Sequence, residues 1–213
     1  MPNGIMKSYP SISRSTGQSF RAIPNAVIFE KLDGSLVRVE WMGPKNSWTK
    51  FGTKERLLDP SDPVFGIVPV IFRQHWEEPL SRIATDQRWE RGVFFFEFWG
   101  PNSFAGNHEP EDPKGLTLID VAIHKRGIMG PRNFLEIFDG KVAVPNLVGV
   151  RNWSREFVEE VWRGEVEGAS FEGVVGKAGS GHHLIMAKAK TRAWIERLKT
   201  VFDPKEAERL ANS

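Results

Sequence analysis

Between Gly92 and Trp99 the chain reads Gly-Val-Phe-Phe-Phe-Glu-Phe-Trp, eight residues almost wholly aromatic or apolar around a single acid. A membrane span takes about 18 to 20 apolar residues, so this run is too short to be one. It also lacks the alternation that would give it a wet face, and therefore belongs in a central strand covered on both sides. The chain must build layers around it. With 213 residues, 40% of them hydrophobic and 26% charged, it can bury such a strand in a core that needs no disulfide or metal staple. It has no cysteine, which removes disulfide frameworks, cysteine-ligated zinc, iron–sulfur clusters and thiol nucleophiles and makes the cytoplasm the expected compartment. The first fifteen residues contain no apolar signal core, and no other apolar stretch exceeds Gly66–Phe72, so no membrane is expected. Twenty-nine basic against 27 acidic residues leave a net charge of +2, and any nucleic-acid surface must come from local clustering.

Asn25–Lys31 and Ser35–Met42 are β-rich runs on either side of Asp33-Gly34 and read as a hairpin. Trp48–Thr53 adds a third strand, and Asp59–Pro63 breaks regular structure. The spacing of Ile71, Trp76, Leu80, Ile83 and Trp89 predicts one long helix over Val70–Arg91, open to a break at Pro79 and stopped by Gly92. A strand follows at Leu116–His124 and a helix near Pro131–Phe138. Ser154 caps another helix, with Phe157, Val158, Val161 and Trp162 as its apolar face. Phe171–Lys177 and His182–Lys190 read as strands joined by the Ala178–Gly181 turn, and a terminal helix starts near Thr191. The layout is α+β, with antiparallel hairpins and flanking helices. It divides into a main domain, 1–190, and a helical extension, 191–213.

The sharpest chemical feature is Glu30-Lys31-Leu32-Asp33-Gly34-Ser35, a lysine at the end of an apolar strand. Alone, it reads most simply as a solvated lysine beside a turn. It reads as a nucleophile if desolvation or neighbouring cations let its amine lose a proton near neutral pH. Lys188 and Lys190 lie two apart and so share one strand face, which fits either a phosphate-binding pair or an edge strand guarded by lysines. Glu97 and Glu172 are lone carboxylates in apolar strands, where an unpaired charge is costly. Each calls for a ribose hydroxyl, a magnesium ion or a lysine as partner. The five histidines show no H-x-x-x-H pair, neither Gly140-Lys141 nor Gly176-Lys177 completes a P-loop, and the eight tryptophans read as core, with Trp41 and Trp48 the two that could stack on a base.

In order along the chain, Lys31-Leu32-Asp33-Gly34, Phe96-Glu97-Phe98-Trp99-Gly100, Leu118-Ile119-Asp120-Val121, Glu172-Gly173-Val174-Val175 and Lys188-Ala189-Lys190 resemble motifs I, III, IIIa, IV and V of the covalent nucleotidyltransferase superfamily. That superfamily holds the ATP-dependent polynucleotide ligases and the RNA-capping enzymes. Lys31–Leu36, followed by Thr49-Lys50-Phe51-Gly52-Thr53-Lys54, looks most like the phage-type RNA ligases. DNA ligases usually carry an arginine soon after the motif I glycine, whereas Ser35, Leu36 and Val37 precede Arg38 here.

The resemblance implies an α+β, ATP-grasp-like ligase adenylation domain of antiparallel sheets with flanking helices. It implies no appended OB-fold domain, since about twenty residues follow motif V and that fold needs five strands. Lys31 would attack the α-phosphorus of ATP and carry a covalent AMP, and Lys188 and Lys190 would hold the α-phosphate. Glu97 would contact the ribose, Glu172 would help place Mg2+, and Asp33 would assist sealing. Lys50 would bind phosphates, with Lys54 or Arg56 beside it, while Glu30 and Val174 would be further nucleotide contacts. The partner would be a nucleic acid with a 5′-phosphate and a 3′-hydroxyl, RNA favoured over DNA, with a protein partner open and the host cytoplasm the setting if the chain is phage-encoded. The rivals are the same fold sealing nicked DNA and a non-catalytic nucleic-acid-binding domain on the same scaffold.

Overall fold

A computed structural model describes residues 6–12, 14–15 and 20–212. In chain order the elements are β1 (Ile23–Glu30), β2 (Ser35–Trp41), β3 (Trp48–Thr53), α1 (Val68–His75), α2 (Glu77–Asp86), β4 (Gly92–Trp99), β5 (Gly115–Ile123), β6 (Gly127–Ile128), α3 (Pro131–Phe138), β7 (Leu147–Trp153), α4 (Arg155–Arg163), β8 (Gly173–Ala178), β9 (Ile185–Lys190), α5 (Arg192–Val201) and α6 (Pro204–Asn212). The class is α+β, with two antiparallel sheets. The chain forms two compact units. The first takes Gly34–Met129, Asn133–Val144 and the described residues up to Pro10; the second takes the described residues from Ser11 to Asp33, Gly130–Arg132 and Pro145 onward. One of the divisions falls between Asp33 and Gly34, and α5 and α6 are part of the second unit.

The first unit is built on the sheet β3-β2-β4-β5-β6. β4 lies between β2 and β5, as its unbroken apolar run requires. Phe94, Phe96 and Phe98 point into one cluster with Trp41, Trp48, Phe72, Trp76, Phe134 and Phe138, which places α1, α2 and α3 on that face. The single long helix expected over Val70–Arg91 is two helices, broken at Trp76 (φ −120°). Pro79 explains the break. It has no N–H for the carbonyl of His75, so the helix restarts with Pro79 in its first turn, where that N–H is not needed. The helix also stops at Asp86, well before Gly92, and the chain reverses through Arg88 at φ +54°.

The second unit carries the sheet β7-β1-β8-β9. Ala26, Ile28, Val174, Ala187 and Ala189 form one face and pack with Trp153 and with Phe157 and Val161 of α4. Ser154 caps α4 as expected, accepting from the Phe157 N–H at 3.2 Å.

The expected hairpin at Asp33-Gly34 does not form. β1 pairs with β7 and β8, and β2 with β3 and β4. Both are central strands, with no free edge left for each other, and the Asp-Gly step is instead where the chain leaves one sheet for another. Glycine is required there because a Cβ on Gly34 would lie 2.3 Å from the carbonyl oxygen of Phe98. The hairpin at Ala178–Gly181 does form, between β8 and β9, although His182 and His183 sit in a 3-10 turn rather than in the strand.

Candidate active site

In the second unit the topology brings three strand ends together. β1 and β9 both run antiparallel to β8, so the residues after β1 and at the end of β9 lie beside the residue that precedes β8. Those residues are Lys31, Lys190 and Glu172. The ladder continues past the strands, with the Lys31 N–H donating to the Gly173 carbonyl at 2.9 Å and the Thr191 N–H donating to the Glu172 carbonyl at 2.9 Å. Gly173 makes the approach possible. Its φ is +140°, and a Cβ there would fall 2.0 Å from the Ala189 oxygen, so any side chain would push β9 away.

Glu172 is buried, and its two oxygens go to two lysines: Oε2 lies 2.7 Å from Lys31 Nζ and Oε1 lies 3.3 Å from Lys190 Nζ. Lys31 keeps 20% of its side chain exposed, whereas Lys190 keeps 1%. Lys190 also donates to the Leu210 carbonyl near the end of α6 at 2.8 Å and lies 4.1 Å from the centre of the Trp194 ring. Its pKa is pushed down to about 8, chiefly by desolvation, with Lys31 and Arg14 lowering it further against the pull of Glu172. Asp33 accepts from Trp194 Nε1 at 2.6 Å, and Ser170 Oγ donates to the Lys31 carbonyl. Lys31, Asp33, Glu172 and Lys190 thus form one connected group.

Lys188 is buried on the same strand face as Lys190 and lies opposite Val175, and Lys177 is buried on that face too, 5.1 Å from the Phe29 ring. Val174, expected at the nucleotide, points the other way, fully buried in the apolar core; the period of two makes Val175 the residue that shares the lysine face. Glu30 also leaves the group, its carboxylate accepting from the Asn146 N–H at 2.9 Å. Glu172 was expected to help hold Mg2+. Both of its oxygens are held by ammonium groups, and no group of three His, Cys, Asp or Glu side chains among the described residues could hold a metal ion. Its place in the geometry is a bridge between two lysines.

Glu97, Lys50 and Lys54 belong to the first unit. Glu97 sits on β4 between Leu36 and Thr117, on the face away from the aromatic core. Lys50 lies 3.6 Å from the buried carboxylate of Glu40, which also takes Arg91 at 2.7 Å. Lys54 is exposed in the turn after β3. Arg56, named beside it, pairs with Asp62 at 2.5 Å. Trp41 and Trp48 are core residues whose indoles donate to the Trp89 carbonyl and to Ser81, so neither is a stacking platform.

Two residues were not anticipated. Trp194 joins Asp33 to Lys190, and its signal in the sequence is its position four residues past Lys190, after a Thr that caps α5 and accepts from the Trp194 N–H at 3.1 Å. Arg14 bridges to the outer side of β9 at Lys188 and donates to the Ala211 carbonyl at 3.2 Å; an isolated arginine in a polar segment carried no signal.

No protein-family model matches the sequence, and no curated protein matches it. Solved structures do match. An archaeal ATP-dependent RNA ligase superposes on 90% of this chain and 50% of its own, with a TM-score of 0.64 at 16% identity. A protein from Aquifex aeolicus assigned as an ATP-dependent DNA ligase covers 96% of this chain and 57% of its own, at 0.61 and 18%. A mutant RNA ligase from Naegleria gruberi, solved with ATP and manganese, covers 82% and 52%, at 0.57 and 16%. The fold is shared with these ATP-dependent DNA and RNA ligases, and the chain spans about half the length of the structures it matches. No helix among the described residues is long and apolar enough to cross a membrane.

Proposed function

We propose that the chain is an ATP-dependent polynucleotide ligase of RNA-ligase type, acting through a covalent adenylate on Lys31. The observation that carries this reading is Glu172 bridging Lys31 and Lys190 at 2.7 and 3.3 Å. A lysine nucleophile must be held in place, remain reachable and lose a proton. Lys31 is fixed by its ladder bond and by Ser170, is the more exposed of the two lysines, and has a carboxylate in direct contact to accept the proton.

The Lys31 amine attacks the α-phosphorus of ATP. The N–P bond forms as the bond from the α-phosphorus to the bridging oxygen breaks, and pyrophosphate leaves. Lys188 and Lys190 supply positive charge to the same centre, Lys188 from the sheet face and Lys190 from beneath Trp194, an electrostatic contribution of the kind that dominates phosphoryl transfer. Glu97 is read as a ribose contact, and Lys50 and Lys54 as phosphate contacts. The adenylate then passes from Lys31 to a 5′-phosphate, and a 3′-hydroxyl displaces AMP to form the phosphodiester. The fold of the archaeal and Naegleria RNA ligases supports the reaction class, and the run Lys31–Leu36 supports RNA ends.

End-joining on single-stranded RNA, single-stranded DNA and nicked duplex DNA tests the substrate. Joining of RNA ends is the expected result, and sealing of nicked DNA alone would move the assignment to DNA ligase, the activity assigned to the Aquifex protein of like fold.

A further inference from the structure

The indole groups of this protein differ in what they bind. Those of Trp41, Trp48, Trp99 and Trp153 donate to neutral oxygens of Trp89, Ser81, Thr117 and Ser15. Trp194 donates to a carboxylate, Asp33, at 2.6 Å, and its ring faces an ammonium group, Lys190, at 4.1 Å. Trp194 is itself 1% exposed. Burying an acid–base pair on one side chain is costly unless the geometry is fixed, and here it is fixed twice. Thr191 follows Lys190 directly. Its N–H donates to the Glu172 carbonyl at 2.9 Å, and its hydroxyl donates to the Phe171 carbonyl at 2.7 Å and caps the Trp194 N–H. The first turn of α5 is therefore tied to Phe171 and Glu172, the two residues that precede β8, and Trp194 projects back over the end of β9.

Asp33 lies two residues beyond Lys31, where the chain turns out of the β1 ladder. Holding its carboxylate holds that turn. Lys190 touches the same carboxylate as Lys31, through Glu172. One side chain therefore grips the segment that carries the nucleophile by its N–H and the facing lysine by its ring, where a cation is attracted to the indole face. We propose that Trp194 is a positioning residue for adenylyl transfer, setting Lys31 and Lys190 at a fixed separation through Asp33 and its own ring. This rests on the lysyl-AMP reading above.

The two contacts can be separated. In Trp194→Phe the aromatic face remains and the N–H is lost; in Trp194→Leu both are lost. Rates per active site are measured by single-turnover formation of lysyl-AMP against ATP concentration, with the active fraction titrated for each variant. Trp194→Phe is expected to lower the limiting rate about tenfold with less than a threefold change in half-saturating ATP, and Trp194→Leu to raise half-saturating ATP about tenfold as well. Asp33→Ala combined with Trp194→Phe is expected to lose no more than the worse single variant, because each removes the bond between the indole N–H and the Asp33 carboxylate. Unchanged rates per active site, or additive losses in the double variant, would overturn the positioning role and leave Trp194 as packing. Failure of the natural sequence to form any lysyl-AMP would overturn the lysyl-AMP reading itself, a separate result.

Discussion

Each of the two sheets buries one face against helices with apolar side chains, and the two differ in what the other face carries. On the first unit's sheet, buried charges close on protein groups. Glu40 takes Arg91 and Lys50. The Arg38 guanidinium, its pKa lowered by desolvation, donates to the carbonyls of Met6 and Lys7 at 2.8 and 3.0 Å. Tyr9 donates to Asp120, and burial with that carboxylate raises the phenol's pKa well above its ordinary value. On the second unit's sheet, Lys177, Lys188 and Lys190 lie buried on one face, with Lys31 at its end and one carboxylate, Glu172, bridging two of the four. Gathering positive charge in a low-dielectric place costs free energy that an anion can offset. The comparison separates a sheet whose buried charges are of both signs from one whose buried charges are mostly positive, the surplus that the proposed phosphates of ATP would offset.

The largest test of that contrast is Lys31 itself. Lys31→Ala is expected to abolish AMP transfer, a loss beyond a thousandfold in single-turnover rate, with thermal stability close to that of the natural sequence.

A pair of matched substitutions sharpens it. Glu172→Ala leaves two lysines facing each other without their bridge, and is expected to cost about 3 kcal/mol of stability in denaturant unfolding and most of the adenylylation. Glu40→Ala is expected to cost a similar amount of stability, while adenylylation per folded molecule stays within about threefold. Equal effects of the two on adenylylation would erase the distinction between the sheets.

A smaller effect concerns pH. The pKa of Lys190 is lowered to about 8, so the group carries its charge below that pH and loses it above. The second-order rate constant for ATP is expected to fall as pH rises through about 8, by about tenfold per unit at most, because one ionisation of the free enzyme governs that quantity. Lys190→Arg, which stays charged, should remove the fall; a fall that persists in the variant would assign it to another group.

The smallest effect is expected at Lys54, exposed in the turn after β3. Lys54→Ala should lower adenylylation about threefold, as an exposed phosphate contact, whereas Lys188→Ala and Lys190→Ala each lower it far more than tenfold.

The fold and the site were legible to different depths. Strands with dense β-branched or aromatic runs, β3 and β4, fall where their patterns put them, and the Ser154 and Thr191 caps mark the starts of α4 and α5. Two kinds of element were not legible. β7 is an edge strand, Leu-Val-Gly-Val-Arg-Asn-Trp, half open to solvent, with neither clean alternation nor an apolar run. α6 was merged with α5 because the amphipathic spacing continues across Asp203-Pro204, where a proline in fact opens a new helix. Asp33-Gly34 misled because a local turn signal does not say which strands pair; that is decided by partners far along the chain. Lys31, Glu172, Lys188 and Lys190 could be named from residue type, position in strands and motif order. That Glu172 bridges two lysines, that Val174 faces the core, and that Trp194 ties Asp33 to Lys190 depend on strand register and helix docking, which no local pattern encodes.

The central claim is that Lys31 is a nucleophile held by Glu172, and intact mass after incubation with ATP and magnesium tests it most directly. The account predicts an added mass of about 329 Da, one AMP, on the natural sequence and none on Lys31→Ala. An unchanged mass for protein first freed of any bound AMP by pyrophosphate, or an adduct that survives in Lys31→Ala, would contradict it.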